Sequence, residues 1–152
     1  MPNPSDLPAF DTTVRQQIYD YTRSFGLPPT LKELAELLSS PREEVEAAFR
    51  RLAEGRAVAL QPDGEILMAF PFSAVPTPFE VRVSNRSWWG NCIWDALGII
   101  VQLRQDGQVI TACQDCGTQL VVTVRDGHLV DSPGIVHFAV PAKQWWADIF
   151  FA

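Results

Sequence analysis

The stretch TLKELAELLSSPREEVEAAFRRLAEGRAVALQPDGEILMAF, residues 30–70, decides the first half of the fold. Thr30 followed by Glu33 is a capping box, in which each side chain accepts the backbone N–H of the other residue at the start of a helix. Leu31, Leu34, Leu37 and Leu38 then recur on one face and predict a short helix. Ser40 caps the next one, Pro41 takes a first position where its missing N–H costs nothing, and Glu43 and Glu44 suit the positive end of the dipole. Val45, Phe49 and Leu52 form its buried stripe, and Gly55 ends it. Ala57–Leu60 and Ile66–Phe70 flank Pro62-Asp63-Gly64 and read as two strands around a tight turn. Upstream, Asp11 or Thr12 caps a helix carrying Val14, Ile18, Tyr21 and Phe25, which Gly26-Leu27-Pro28-Pro29 stops.

Three helices followed by such a hairpin is the order of a winged helix. The use that order suggests, DNA binding through the third helix, needs a surplus of positive charge to neutralise phosphates. Residues 41–56 balance Arg42, Arg50, Arg51 and Arg56 against Glu43, Glu44, Glu46 and Glu54, and the whole chain carries a formal net charge of −6. Nucleic acid is therefore not an expected partner, and the first module reads as a packing unit. A hydrophobic fraction of 47% over 152 residues describes a folded chain with room for one ordinary domain or two small modules. No segment approaches the roughly 18 apolar residues of a membrane helix, and the start lacks a basic, apolar leader, so a cytoplasmic protein with no membrane partner is expected. Three cysteines cannot all pair within one chain, which in a reducing compartment favours a chemical or metal-binding use over a disulfide framework.

Pro71, Pro76 and Pro78 read as a linker, dividing the chain into a winged-helix-like module at 1–72 and a second α+β module at 73–152. In the second, Phe79–Val83 alternates as a strand, and Asn91 caps a helix running from Cys92 through Trp94, Ala96, Leu97 and Ile100. Turns at Asp106-Gly107 and Arg125-Asp126-Gly127 separate strands over Val109–Ala112, Gln119–Val124 and His128–Asp131. A further strand is expected over Ile135–Val140, then a helical turn at Ala142–Trp146 before Asp148–Phe151. The fold class is thus α+β: a three-helix module, then a small mixed or antiparallel sheet bearing one helix.

That helix carries the first chemical candidate. With Asn91 as cap, Cys92 sits where free amides and the dipole favour a thiolate, and Asp95 shares its face three residues on. Trp88, Trp89 and Trp94 would supply a partly apolar wall that raises the Asp95 pKa toward that of a proton donor. Spacing alone favours a buried cysteine beside a solvated aspartate, since free cysteine is often simply buried. The second candidate, Cys113-Gln114-Asp115-Cys116-Gly117, could give two thiolates to a zinc ion, but a structural site needs about four ligands, and only Cys92, His128 and His137 remain to complete it. Neither histidine lies in a recognisable motif, and Trp145-Trp146 reads as ordinary core. No phosphate loop, nucleophile elbow or His-Glu-x-x-His segment is present.

The run Asn91-Cys92-Ile93-Trp94-Asp95-Ala96-Leu97, then Val109–Cys113 with Gly117, the Leu120–Val124 strand, Gly134–Val140 and Trp145–Phe151, resembles the catalytic domain of the organomercurial lyase (alkylmercury lyase) family. The helices and hairpin before it resemble that family's vestigial winged helix. The resemblance implies protonolysis of a carbon–mercury bond by two cysteines and an aspartate, with Cys92 matching the first cysteine as metal-binding nucleophile and Asp95 the proton donor. Cys113 matches a position regarded as structural, and Cys116 departs from the best-known members and offers an additional thiol. No cofactor is then required: mercury arrives as part of a small organometallic substrate, small thiols assist, and zinc at Cys113 and Cys116 is a separate alternative. The family places its second catalytic cysteine just beyond a segment like Asp148–Ala152, where this chain stops. A truncated product, a substitute thiol such as Cys116 or Cys113, and a loss of lyase activity all stay open. Two rival readings stand beside the lyase: a thiol protein that sequesters mercury or another soft metal, and a winged-helix regulator with a metal-sensing second module.

Overall fold

A computed structural model describes residues 8–130, 134–138 and 140–147. Three helices come first, α1 (Ala9–Phe25), α2 (Leu31–Leu38) and α3 (Arg42–Glu54). The strands β1 (Ala59–Leu60), β2 (Ile66–Ala69), β3 (Phe72–Ser73), β4 (Glu80–Val83) and β5 (Arg86–Gly90) follow. Then come α4 (Ile93–Leu103), β6 (Gly107–Ala112), β7 (Gln119–Arg125), β8 (His128–Val130) and a 3-10 turn at Ala142–Ala147. The strands form one eight-stranded sheet in the order β1-β2-β3-β5-β4-β6-β7-β8, antiparallel at every pairing. The α+β class is as the sequence predicts, with the sheet wholly antiparallel. No helix among the described residues is long and apolar enough to cross a membrane.

Two hydrophobic clusters hold the fold. The first joins Val14 and Ile18 of α1, Leu31 and Leu34 of α2, and Val45, Phe49 and Leu52 of α3 to Ile66 and Ala69 of β2. These helical residues are most of the apolar stripes read from the sequence, although Phe25 and Leu37 of those stripes are exposed, and each large side chain sealed from water adds about 1.5–3 kcal/mol of burial free energy. The second packs Ala96, Ile99 and Ile100 of α4 onto Phe72, Val81, Val83, Trp88, Val109 and Val124 of the sheet. Strand alternation aims Val81 and Val83 at α4 while Arg82 faces solvent. A seam joins the clusters: Tyr19 Oη donates to the Phe70 carbonyl (2.9 Å), and Trp88 Nε1 donates to the Thr22 carbonyl (2.9 Å).

Several local expectations need correction. Asp11 does not cap α1, which starts at Ala9 after Pro8; its fully buried carboxylate instead takes two 2.7 Å bonds from Arg51 of α3. The α3 helix begins at Arg42, one residue later than expected, with Pro41 rather than Ser40 at the cap. The Pro71–Pro78 segment is not a plain linker, because Phe72–Ser73 pairs with β2 on one side and β5 on the other and carries the sheet across the seam. Trp88 and Trp89 lie in a strand that sequence reading missed, folded onto β4 through a two-residue turn at Ser84-Asn85. The strand expected over Ile135–Val140 is not formed at 135–138, where no pairing strand meets it and Ile135 is 95% exposed. Phe138 does touch the Trp145 ring (centroids 5.2 Å apart), and Trp145 Nε1 donates to the Val140 carbonyl (2.8 Å). Asp131 and the Asp148–Phe151 segment lie outside the described residues.

Candidate active site

The close approach of α4 to β5 positions the site. Gly90 ends β5 beneath the first turn of α4, where a Cβ would stand 2.7 Å from the Ala96 nitrogen, so only glycine lets the helix start there. Chain direction changes in the next two residues. Cys92 is extended (φ −146°, ψ 178°) and is itself the N-cap, its carbonyl accepting the first helical bond from the Ala96 amide at 2.9 Å. Asn91 is therefore not the cap. Its amide reaches past Cys92 instead: Nδ2 donates to Asp95 Oδ2 (2.9 Å) and to the Pro71 carbonyl (3.1 Å), while Oδ1 is buried with no hydrogen-bond partner.

Cys92 and Asp95 are brought together at this helix end, both half-buried. No capping bond of hydrogen-bond geometry reaches the Cys92 side chain. Burial pushes the Cys92 thiol up from its ordinary value and the Asp95 charge pushes the same way, while the Asp95 and Trp94 amides pull it back in part. The helix-end amides lower the thiol pKa as expected, but desolvation outweighs them. Burial also raises the Asp95 carboxyl, opposed by the Asn91 side chain and backbone amide. That direction matches expectation, but its source is not a wall of three tryptophans. Trp94 is 66% exposed, and Trp88 points to the seam, where it bonds Thr22.

Cys113 and Cys116 sit on the β6–β7 turn, closed by the Cys113 amide on the Thr118 carbonyl and the Gly117 amide on the Cys113 carbonyl (both 2.9 Å). Cys116 is exposed, with Sγ 3.1 Å from Thr118 Oγ1, and hydrogen bonds from Thr118 and Cys113 hold its thiol below the ordinary value. His128 is exposed in β8 and His137 is exposed outside any strand. Among the described residues, no group of three or more His, Cys, Asp or Glu side chains gathers to hold a metal ion. Two clefts of about 640 and 790 Å³ line the seam around Asp20, Arg23 and Trp88, and around Arg15, Tyr19 and Gln102, without including Cys92 or Asp95. The contact that sequence reading does not foresee is that of Asn91 with Asp95, for which the i, i+4 spacing is the available signal.

A thiol at a helix cap and a desolvated carboxyl one turn along, with an antiparallel sheet beneath them, stand together in an α+β protein. The alkylmercury lyase family model matches residues 72–150, more than half of the chain, and the chain belongs to that family. The fold is similar to the crystal structure of the mercury-bound form of MerB2, with a TM-score of 0.67 and 22% sequence identity over 84% of this chain. The chain spans 62% of that relative's length. No curated protein matches the chain.

Proposed function

We propose that this chain is an organomercurial lyase-type enzyme that breaks carbon–mercury bonds, with Cys92 binding the metal and Asp95 supplying the proton. The observation that carries the reading is the pairing of a half-buried thiol with a half-buried, pKa-raised carboxyl on one helix turn, inside the segment that matches the family. A thiolate is a soft ligand suited to a soft cation, and binding requires the thiol proton to leave. Asp95 is the nearby base, and its raised pKa suits it to take that proton and hold it. Sulfur then bonds mercury, the proton passes from Asp95 to the carbon, and the carbon–mercury electron pair becomes the new carbon–hydrogen bond.

Cys113 and Cys116 are additional thiols in this proposal. The lowered Cys116 pKa and its exposure suit it to exchange a soft metal with small thiols or to stand in as second sulfur ligand. Mercury is substrate and product, and no cofactor is needed for these steps. The first module, 1–72, is proposed as a vestigial winged helix that packs rather than reads DNA, and 73–152 as the lyase domain; the change of hydrophobic cluster between Ala69 and Phe72 supports that division. A small organometallic is the proposed partner and the cytoplasm the proposed compartment.

Incubation with an organomercurial and excess small thiol tests the reading. The wild-type chain is expected to release the hydrocarbon, measured in the headspace, and Cys92→Ser and Asp95→Ala each to stop it. Turnover untouched by both substitutions would refute the assignment.

A further inference from the structure

Asn91 occupies a place that neither capping nor core packing explains. Its Nδ2 donates to two acceptors at once, the Pro71 carbonyl at 3.1 Å and Asp95 Oδ2 at 2.9 Å. Turning the amide over would set its oxygen against a carbonyl and a carboxylate, so the nitrogen must face them. The same orientation leaves Oδ1 buried and unpartnered, an arrangement that costs stability. Among the described residues no other side chain donates to the Asp95 carboxyl.

We infer that Asn91 is a positioning residue for proton delivery: anchored on Pro71, its side chain holds Asp95 Oδ2, its backbone amide adds to that hold, and together they orient the carboxyl that gives up the proton. This rests on the lyase reading above and adds the partner. In the step, the carboxyl O–H bond of Asp95 breaks and the proton reaches carbon. The carbon–mercury pair becomes the carbon–hydrogen bond, mercury stays on the Cys92 thiolate, and Asp95 is left as a carboxylate. The Nδ2–H bond to Oδ2 strengthens as that charge develops, because a hydrogen bond to an ion is stronger than one to a neutral acid. The second anchor, on Pro71, spares the amide from reorganising at that moment, and the i, i+4 spacing brings the amide to the carboxyl.

Asn91→Leu removes the donor at similar volume, and Asn91→Ser keeps a smaller polar group. Two quantities separate a positioning role from a structural one. Capture of one equivalent of organomercurial on Cys92, located by peptide mass, is expected to survive in both variants. Single-turnover hydrocarbon release is expected to fall by about 100-fold in Asn91→Leu, the scale of removing one donor from a developing charge. Release at the wild-type rate in both variants, with Asp95→Ala inactive, would overturn the role of Asn91 and leave the lyase reading standing. Equal loss of capture and release would make Asn91 merely structural and also overturn it. Hydrocarbon release by Asp95→Ala at the wild-type rate would bring down the lyase reading itself.

Discussion

The helical N-terminal region and the α4 end of the sheet treat the same chemical groups in opposite ways. In the first, the buried carboxylate of Asp11 meets a guanidinium in two 2.7 Å bonds, and the α2 cap closes completely, with the Glu33 amide on Thr30 Oγ1 (3.2 Å) and the Thr30 amide on Glu33 Oε2 (2.8 Å). In the second, Asp95 is desolvated beside a neutral amide, and the cap of α4 is a sulfur that makes no capping bond. A polar group satisfied by the fold contributes to stability and has little capacity left for a substrate. One left half-satisfied at a surface keeps its reactivity at some cost to the fold. The contrast fits a structural role for the first set of residues and the proposed chemistry for the second.

The largest effect expected from breaking the first region is at Arg51. Arg51→Ala would strand the fully buried Asp11 carboxylate, and because the Arg51 side chain is itself 42% exposed and water can enter its place, a loss of about 1–3 kcal/mol in urea unfolding is expected. An unchanged unfolding midpoint would show that the pair is replaceable by water. The two helix caps sharpen the comparison at a smaller scale. Thr30→Ala should lose about 1 kcal/mol, whereas Cys92→Ser, which puts a good capping oxygen where sulfur makes no such bond, should gain up to about 1 kcal/mol while destroying activity. Thermal unfolding of both variants in one buffer checks the opposite signs; two losses of equal size would erase the distinction between the caps.

Sequence reading succeeded where partners lie within a turn of one another. The Thr30–Glu33 box, the apolar stripes of the first three helices and the Gln119–Arg125 strand needed only local spacing. It failed where the deciding partner is far along the chain. Asp11 reads as a cap because Arg51 stands 40 residues away, and Phe72–Ser73 reads as linker because strand identity comes from pairing with β2 and β5 rather than from its proline-rich surroundings. At the site, the shared helix end of Cys92 and Asp95 follows from their spacing, but the upward push on the thiol does not. Its pKa depends on how far α4 sinks against Gly90, and that is a property of packing. Asn91 was given the cap, and so its contact with the carboxyl one turn on went unread.

The most direct test of the central claim is the fate of an organomercurial on the Asp95→Asn chain, which keeps the size of the carboxyl and removes its proton. Intact and peptide mass spectrometry are predicted to find the whole organomercury group, carbon still attached, bonded to Cys92, with no hydrocarbon in the headspace. Hydrocarbon released as fast as by the wild type, or an adduct confined to Cys113 and Cys116, would contradict the account.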